Sequence, residues 1–223
     1  MEFSERLINL CREAEQALEE KFKELDKISF NNTVKVMNSF ANHTVNETLF
    51  APTSGYGYGD RGRDTLDLIY ADVFGSEAAF VRHNIVNGTQ AIAIGLYGLL
   101  RPGDTLLSVA GKPYDTLEEV IGIVGNKGDG SLRDFGIAYK QTELTDEGDF
   151  DYETIEKELT KDVKVVFIQR SKGYLNRKTL SVAQIGELVK FVKQRSNAYV
   201  YVDNCYGEFV EELEPTDVGV DLM

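Results

Sequence analysis

VKVVFIQRSKGYLNRKTLSVAQIGELVKFVKQRSNAYVYVD, residues 163–203, decides the fold. Its opening VKVVFIQ is an almost unbroken β-branched and aromatic run, the composition of a strand covered on both faces. From 182 to 194, VAQIGELVKFVKQ returns apolar residues at helical spacing, and Ser181 with Gln184 forms a capping box at its start. AYVYVD, residues 198–203, is strand-like again, with short polar joints on either side of the helix.

The same alternation extends upstream. FGIAYK reads as a strand and DYETIEKEL as a helix, with Phe150 and Ile155 placed as a hydrophobic staple. Before them come DTLLSVA and DTLEEVIGIV, and before those AAFVRHNI as a strand and TQAIAIGLYGLL as a helix. GNKGDGSLRDFG, residues 125–136, reads as a surface connection. The expected fold class is therefore α/β, a mostly parallel sheet with helices on both faces. An N-terminal helical segment, residues 1–50, precedes it: one long amphipathic helix over residues 4–27 and a shorter one near 33–41. Residues 51–223 form the sheet domain, which opens with the loop APTSGYGYGDRGR and a helix over 64–74.

Lys and Arg total 24 against 37 Asp and Glu, a net charge of −13 that repels phosphate backbones and anionic lipid, so neither nucleic acid nor membrane is an expected partner. Two cysteines, Cys11 and Cys205, have no metal-ligand spacing and make no disulfide framework, which fits a cytoplasmic protein. The first residues hold no apolar run of the length a signal peptide or membrane span needs. His43 and His83 are the only histidines, too few for histidine-based metal or triad chemistry, and no metal site is expected.

In open α/β sheets ligands collect where strands end, so the joints carry the chemistry. After AAFVRHNI, Gly88, Thr89 and Gln90 open a helix whose unsatisfied amides suit a phosphate, although such residues also cap helices that bind nothing. Tyr114 follows DTLLSVA, where its ring can lie against a flat ligand or simply occupy a turn. Asp203 ends a strand expected to be buried. A carboxylate there needs either a cation, such as a protonated ring nitrogen, or loop amides to cap. Residues 57–62 spell GxGxxG, but no clear strand precedes them and no acid follows at the ribose-binding distance, so a dinucleotide site is disfavoured. Glu208, Glu211, Glu212, Glu214, Asp217 and Asp221 raise a non-catalytic acidic metal-binding or interaction module as an alternative; without fixed ligand spacing they read as a solvated acidic face.

FAPTSGYGYGDRGRDTLD, NIVNGTQAI, LLRPGDTLLSVAGKPYDTLEEVIG, IQRSKGY and YVDNCYGEF, in that order, resemble the methionine gamma-lyase-like proteins known as aluminium resistance proteins, pyridoxal 5'-phosphate (PLP) enzymes of the aspartate-aminotransferase fold. The resemblance implies that Gly88, Thr89 and Gln90 hold the cofactor phosphate, that Tyr114 stacks on the pyridine ring and assists leaving-group protonation, and that Asp203 pairs with the ring nitrogen. Tyr58 and Arg61 resemble residues that reach the phosphate from a neighbouring subunit, implying a homodimer or homotetramer with shared active sites; Tyr56 is the alternative tyrosine. Where related lyases carry an acid and an asparagine, this chain has Gln169 to Tyr174, QRSKGY. The family's Schiff-base lysine falls shortly after a segment like VGVDLM, with which this sequence ends. The chain is thus expected to be an inactive first part of the large domain of a PLP-dependent carbon–sulfur lyase for a sulfur amino acid. A PLP-dependent transferase of the same fold is the alternative.

Overall fold

The computed structural model of the chain describes residues 3–56 and 58–223. Four strands, β1 (Thr105–Ser108), β2 (Ala138–Gln141), β3 (Val163–Gln169) and β4 (Tyr199–Asp203), form one sheet in the order β2-β1-β3-β4 with every pairing parallel. β3 is paired on both sides, which is why its run is continuously apolar. Seven α-helices accompany the sheet among the described residues: α1 (Glu5–Ala17), α2 (Glu19–Asn42), α3 (Arg61–Val73), α4 (Gly88–Leu99), α5 (Asp115–Ile121), α6 (Tyr152–Glu158) and α7 (Val182–Lys193).

Strand periodicity divides the core between the two faces. Leu107, Val166, Ile168, Val200 and Val202 pack with Ile155 of α6 and with Ile185, Leu188 and Val192 of α7. Their neighbours Leu106, Val165, Phe167 and Tyr201 pack with Leu96 of α4 and with Leu117 and Ile121 of α5. Helices therefore cover both faces. The β1-to-β2 connection crosses on the α5 face, whereas those that advance the other way cross on the α6 and α7 face, as a constant crossover hand requires. Between β1 and β3 the direction of winding reverses, leaving a crevice at their carboxyl ends.

Local signals hold where they are strongest. Ser181 and Gln184 form the capping box of α7, and Phe150 and Ile155 are both buried in one cluster around α6. The 125–136 connection is partly ordered, with a 3-10 turn at Leu132–Phe135 and Asp134 gathering the Gly128, Gly130 and Ser131 amides. Residues 78–85 are not a strand. The Val81 amide donates to Asp67 Oδ1 at 2.8 Å and Arg82 Nη1 to the same oxygen at 2.6 Å, so a helix side chain, and no neighbouring strand, satisfies this backbone. The N-terminal helices also divide differently. The break falls at Leu18, and α2 then runs unbroken through residues 28–32, where the Asn32 side-chain Nδ2 donates to Phe209 O and Glu211 O at 3.1 and 3.0 Å and so ties the helix to the domain. None of the described helices is long and apolar enough to cross a membrane.

The acidic residues after β4 are a solvated face in part: Glu208, Glu212, Asp217 and Asp221 are exposed, whereas others are drawn into the fold. Glu214 is completely buried, accepting from the Asn204 side chain and the Phe209 amide at 3.0 and 2.7 Å. Glu211 pairs with Arg170, Asp217 accepts from the Glu214 amide, and Asp221 from Lys193 and the Val200 amide. Among the described residues no cluster of acids, histidines or cysteines has the makings of a metal site.

Candidate functional site

A cavity of about 500 Å³ occupies the carboxyl ends of β1, β3 and β4, with Gly88, Thr89, Tyr114, Gln169, Lys172 and Asp203 in its wall. Each side arrives by a local device. β1 is followed by a turn that puts Tyr114 at the N-cap of α5, half-exposed. Its amide donates to Gln169 Oε1 at 2.5 Å, and a β-carbon at Gly173 would lie 3.7 Å from its ring. The nearby Tyr174 phenol, and then the Asp115 charge, push the Tyr114 hydroxyl upward in pKa, so it holds its proton at neutral pH.

On the adjoining side α4 begins. Asn87 accepts the Gln90 amide at 2.8 Å, and Gln90 Oε1 accepts the Val86 amide at 2.8 Å. Gln90 is thereby used in the cap and is not in the cavity wall, unlike Gly88 and Thr89. Among the described residues the Gly88 and Thr89 amides meet no acceptor. A β-carbon at Gly88 would touch nothing within 4 Å, so its backbone is open to approach. The Thr89 hydroxyl lies 2.7 Å from that of Thr116, joining the starts of α4 and α5.

Asp203 closes the third side. It is in register with Gln169, and its Oδ1 accepts the Cys205 amide at 3.1 Å. Among the described residues no lysine, arginine or histidine lies within ion-pair distance of it. Burial, opposed by the Cys205 amide and reinforced by the Glu208 charge, raises its pKa. Of the two expectations for Asp203, the loop-amide cap is the one observed.

Gln169 and Arg170 were not among the residues expected in the site. Arg170 is buried; its Nε donates to Leu180 O at 3.0 Å, its Nη1 to Asn204 Oδ1 and Gly207 O at 2.8 and 2.9 Å, and its Nη2 to Glu211. It thereby fixes the turn that follows Asp203. A side chain at Gly207 would place its β-carbon 2.5 Å from Arg170 Nη1, so this approach requires glycine. The sequence signals were an arginine ending an apolar strand and the QRSKGY segment that stands where related lyases carry an acid and an asparagine. Lys112 is tied to Glu118 at 2.9 Å, whereas Lys172 lines the cavity. Tyr58, 89% exposed, and Arg61, which opens α3, are not in the wall, and Tyr56 is equally exposed. Asp60 accepts the Arg63 amide at 3.1 Å as the α3 cap, so the glycine-rich segment leads into a helix without a preceding strand; Gly57 lies outside the described residues.

An open pair of helix-start amides, an aromatic ring and an unpaired carboxylate around one crevice suit a flat ligand with an anionic tail and a basic ring nitrogen. The 223-residue chain has relatives among known proteins. A Bacillus subtilis protein, "Uncharacterized protein YnbB", is 53% identical over 202 residues, 90% of this chain and 48% of that protein. The crystal structure of a Listeria innocua "putative cystathionine beta-lyase involved in aluminum resistance" superposes with a TM-score of 0.95 at 45% identity, over 99% of this chain and 54% of that one. A Clostridium novyi "carbon-sulfur lyase involved in aluminum resistance" gives 0.93 at 46% identity, over 98% and 53%. The chain spans about half the length of these relatives. At 22% identity and a TM-score of 0.53, a methionine gamma lyase from Micromonospora echinospora shares the fold. The family profile described as "Methionine gamma-lyase" matches residues 7–223, nearly the whole chain, and the chain belongs to the methionine gamma-lyase family.

Proposed function

We propose that the complete protein is a PLP-dependent carbon–sulfur lyase acting on a sulfur amino acid, and that the crevice is its cofactor site. The observation that carries this reading is the Asp203 carboxylate, with no cation beside it among the described residues, facing the same cavity as the Tyr114 ring and the open amides of α4. The donor set fits: Gly88 and Thr89 would hold the phosphate, Tyr114 would lie against the ring, and Asp203 would keep the ring nitrogen protonated. When bound, PLP supplies an electron sink that makes the substrate α-carbon acidic. Tyr114 keeps its proton in the cavity and would deliver it from Oη to the departing sulfur. Sulfur amino acids are assigned as substrates from the family and from the names of the relatives.

Tyr58 and Arg61 are exposed and outside the wall, which supports their serving a neighbouring copy in a homodimer or homotetramer; sedimentation velocity of the complete protein would show a monomer if this is wrong. Turnover is assigned to the complete protein, and this chain, half the length of its relatives, is expected to bind cofactor without turnover.

Equilibrium dialysis with PLP tests the site. Asp203→Asn should weaken binding roughly ten- to a hundredfold, the effect of losing a charge-assisted hydrogen bond. Release of thiol and keto acid from methionine or cystathionine by the complete protein tests the reaction. PLP binding that is absent from both the chain and the complete protein would overturn the reading.

A further inference from the structure

The end of β3 grips both walls of the crevice with adjacent residues. Arg170 holds the turn after Asp203 on one side, as described above, and Gln169 reaches the other way to Tyr114. Gln169 is buried, 4% exposed, and both ends of its amide are used: Oε1 accepts the Tyr114 amide at 2.5 Å and Nε2 donates to Ser171 O at 3.2 Å. The strand end is itself braced, because Arg177 Nη2 donates to Gln169 O and Ser171 O at 2.9 and 2.7 Å. Tyr114, by contrast, precedes α5 without a side-chain cap bond. Its backbone is therefore tied across to β3 by the Gln169 side chain.

We infer that Gln169 is the positioning residue for Tyr114, fixing the aromatic wall of the crevice at a set distance from Asp203. Glutamine suits this task because its carbonyl oxygen accepts the Tyr114 amide while its NH₂ is oriented by Ser171, and a neutral amide brings no charge beside the Asp203 carboxylate. The consequence for the ligand rests on the cofactor reading above; the positioning of residue 114 does not.

The chain has no tryptophan, so Tyr114→Trp introduces a unique fluorescent reporter at the wall. In that background Gln169→Met, which keeps length and loses the acceptor, should raise acrylamide quenching of the reporter about twofold or more. Circular dichroism melts of each variant identify any that has lost its fold. With Tyr114 restored, Gln169→Met should weaken PLP binding about three- to tenfold. Unchanged quenching in folded Gln169→Met overturns the positioning role. If Gln169→Met loosens the reporter while the parent binds no PLP, the cofactor reading fails and the positioning role stands.

Discussion

At the scale of single residues, burial leaves the Asp203 carboxylate with the Cys205 amide and, among the described residues, no cation, so ionising it works against folding of the cofactor-free chain. The sign follows from linkage. Its folded pKa is raised above the ordinary 3.8, so the native state binds this proton more readily than the unfolded state does. The cost is absent well below 3.8, grows as pH rises through the window up to the folded value, and is complete above it. Asp203→Asn should therefore raise the Tm of the cofactor-free chain at neutral pH, with the gain shrinking toward pH 3, even as it weakens PLP; thermal melts across pH check this. Asp203, Tyr114 and Gly88 were legible in the sequence because each follows or opens an element whose pattern was clear. Gln169 and Arg170 were not: their partners lie at Tyr114, Leu180, Asn204, Gly207 and Glu211, and only folding brings those groups together.

At the scale of elements, the cavity depends on how closely α4 seats on the sheet. Gly95 permits that approach: a β-carbon there would stand 2.6 Å from the Tyr201 hydroxyl oxygen and 2.8 Å from two ring carbons. Tyr201 is buried and its hydroxyl donates to Ile92 O at 3.4 Å, so it cannot easily yield. Gly95→Ala should cost about 1–3 kcal/mol in stability, the usual penalty of overpacking, and by lifting α4 should weaken PLP binding although residue 95 lines no part of the cavity. Denaturant unfolding and dialysis measure the two effects. The helices around β1, β3 and β4 were legible because caps and apolar spacing agree there. Residues 78–85 misled because Phe80, Val81 and Arg82 carry strand-like composition, yet Asp67 takes the backbone and Arg82 stacks on Phe80 at 4.4 Å. The Leu18 break and the unbroken α2 were hidden for another reason: the contact that ties Asn32 to the domain is with residues nearly the whole chain away.

At the scale of the molecule, order is distributed unevenly. β3 is central, almost wholly buried and clasped on both faces, whereas α1 contributes no buried residue. Native-state hydrogen exchange should find β3 amides opening only with global unfolding and α1 amides exchanging orders of magnitude faster, since a helix of this length has little stability of its own. α2 lies between these extremes, and its anchor makes it informative. Asn32 holds the carbonyls of Phe209 and Glu211, Glu211 holds Arg170, and Arg170 holds the turn beside Asp203. The chain of grips amounts to a linkage that reaches from the crevice to the outer surface. Any ligand that steadies the Asp203 turn should slow exchange around Asn32, so that α2 reports, from outside the cavity, whether the cavity is filled.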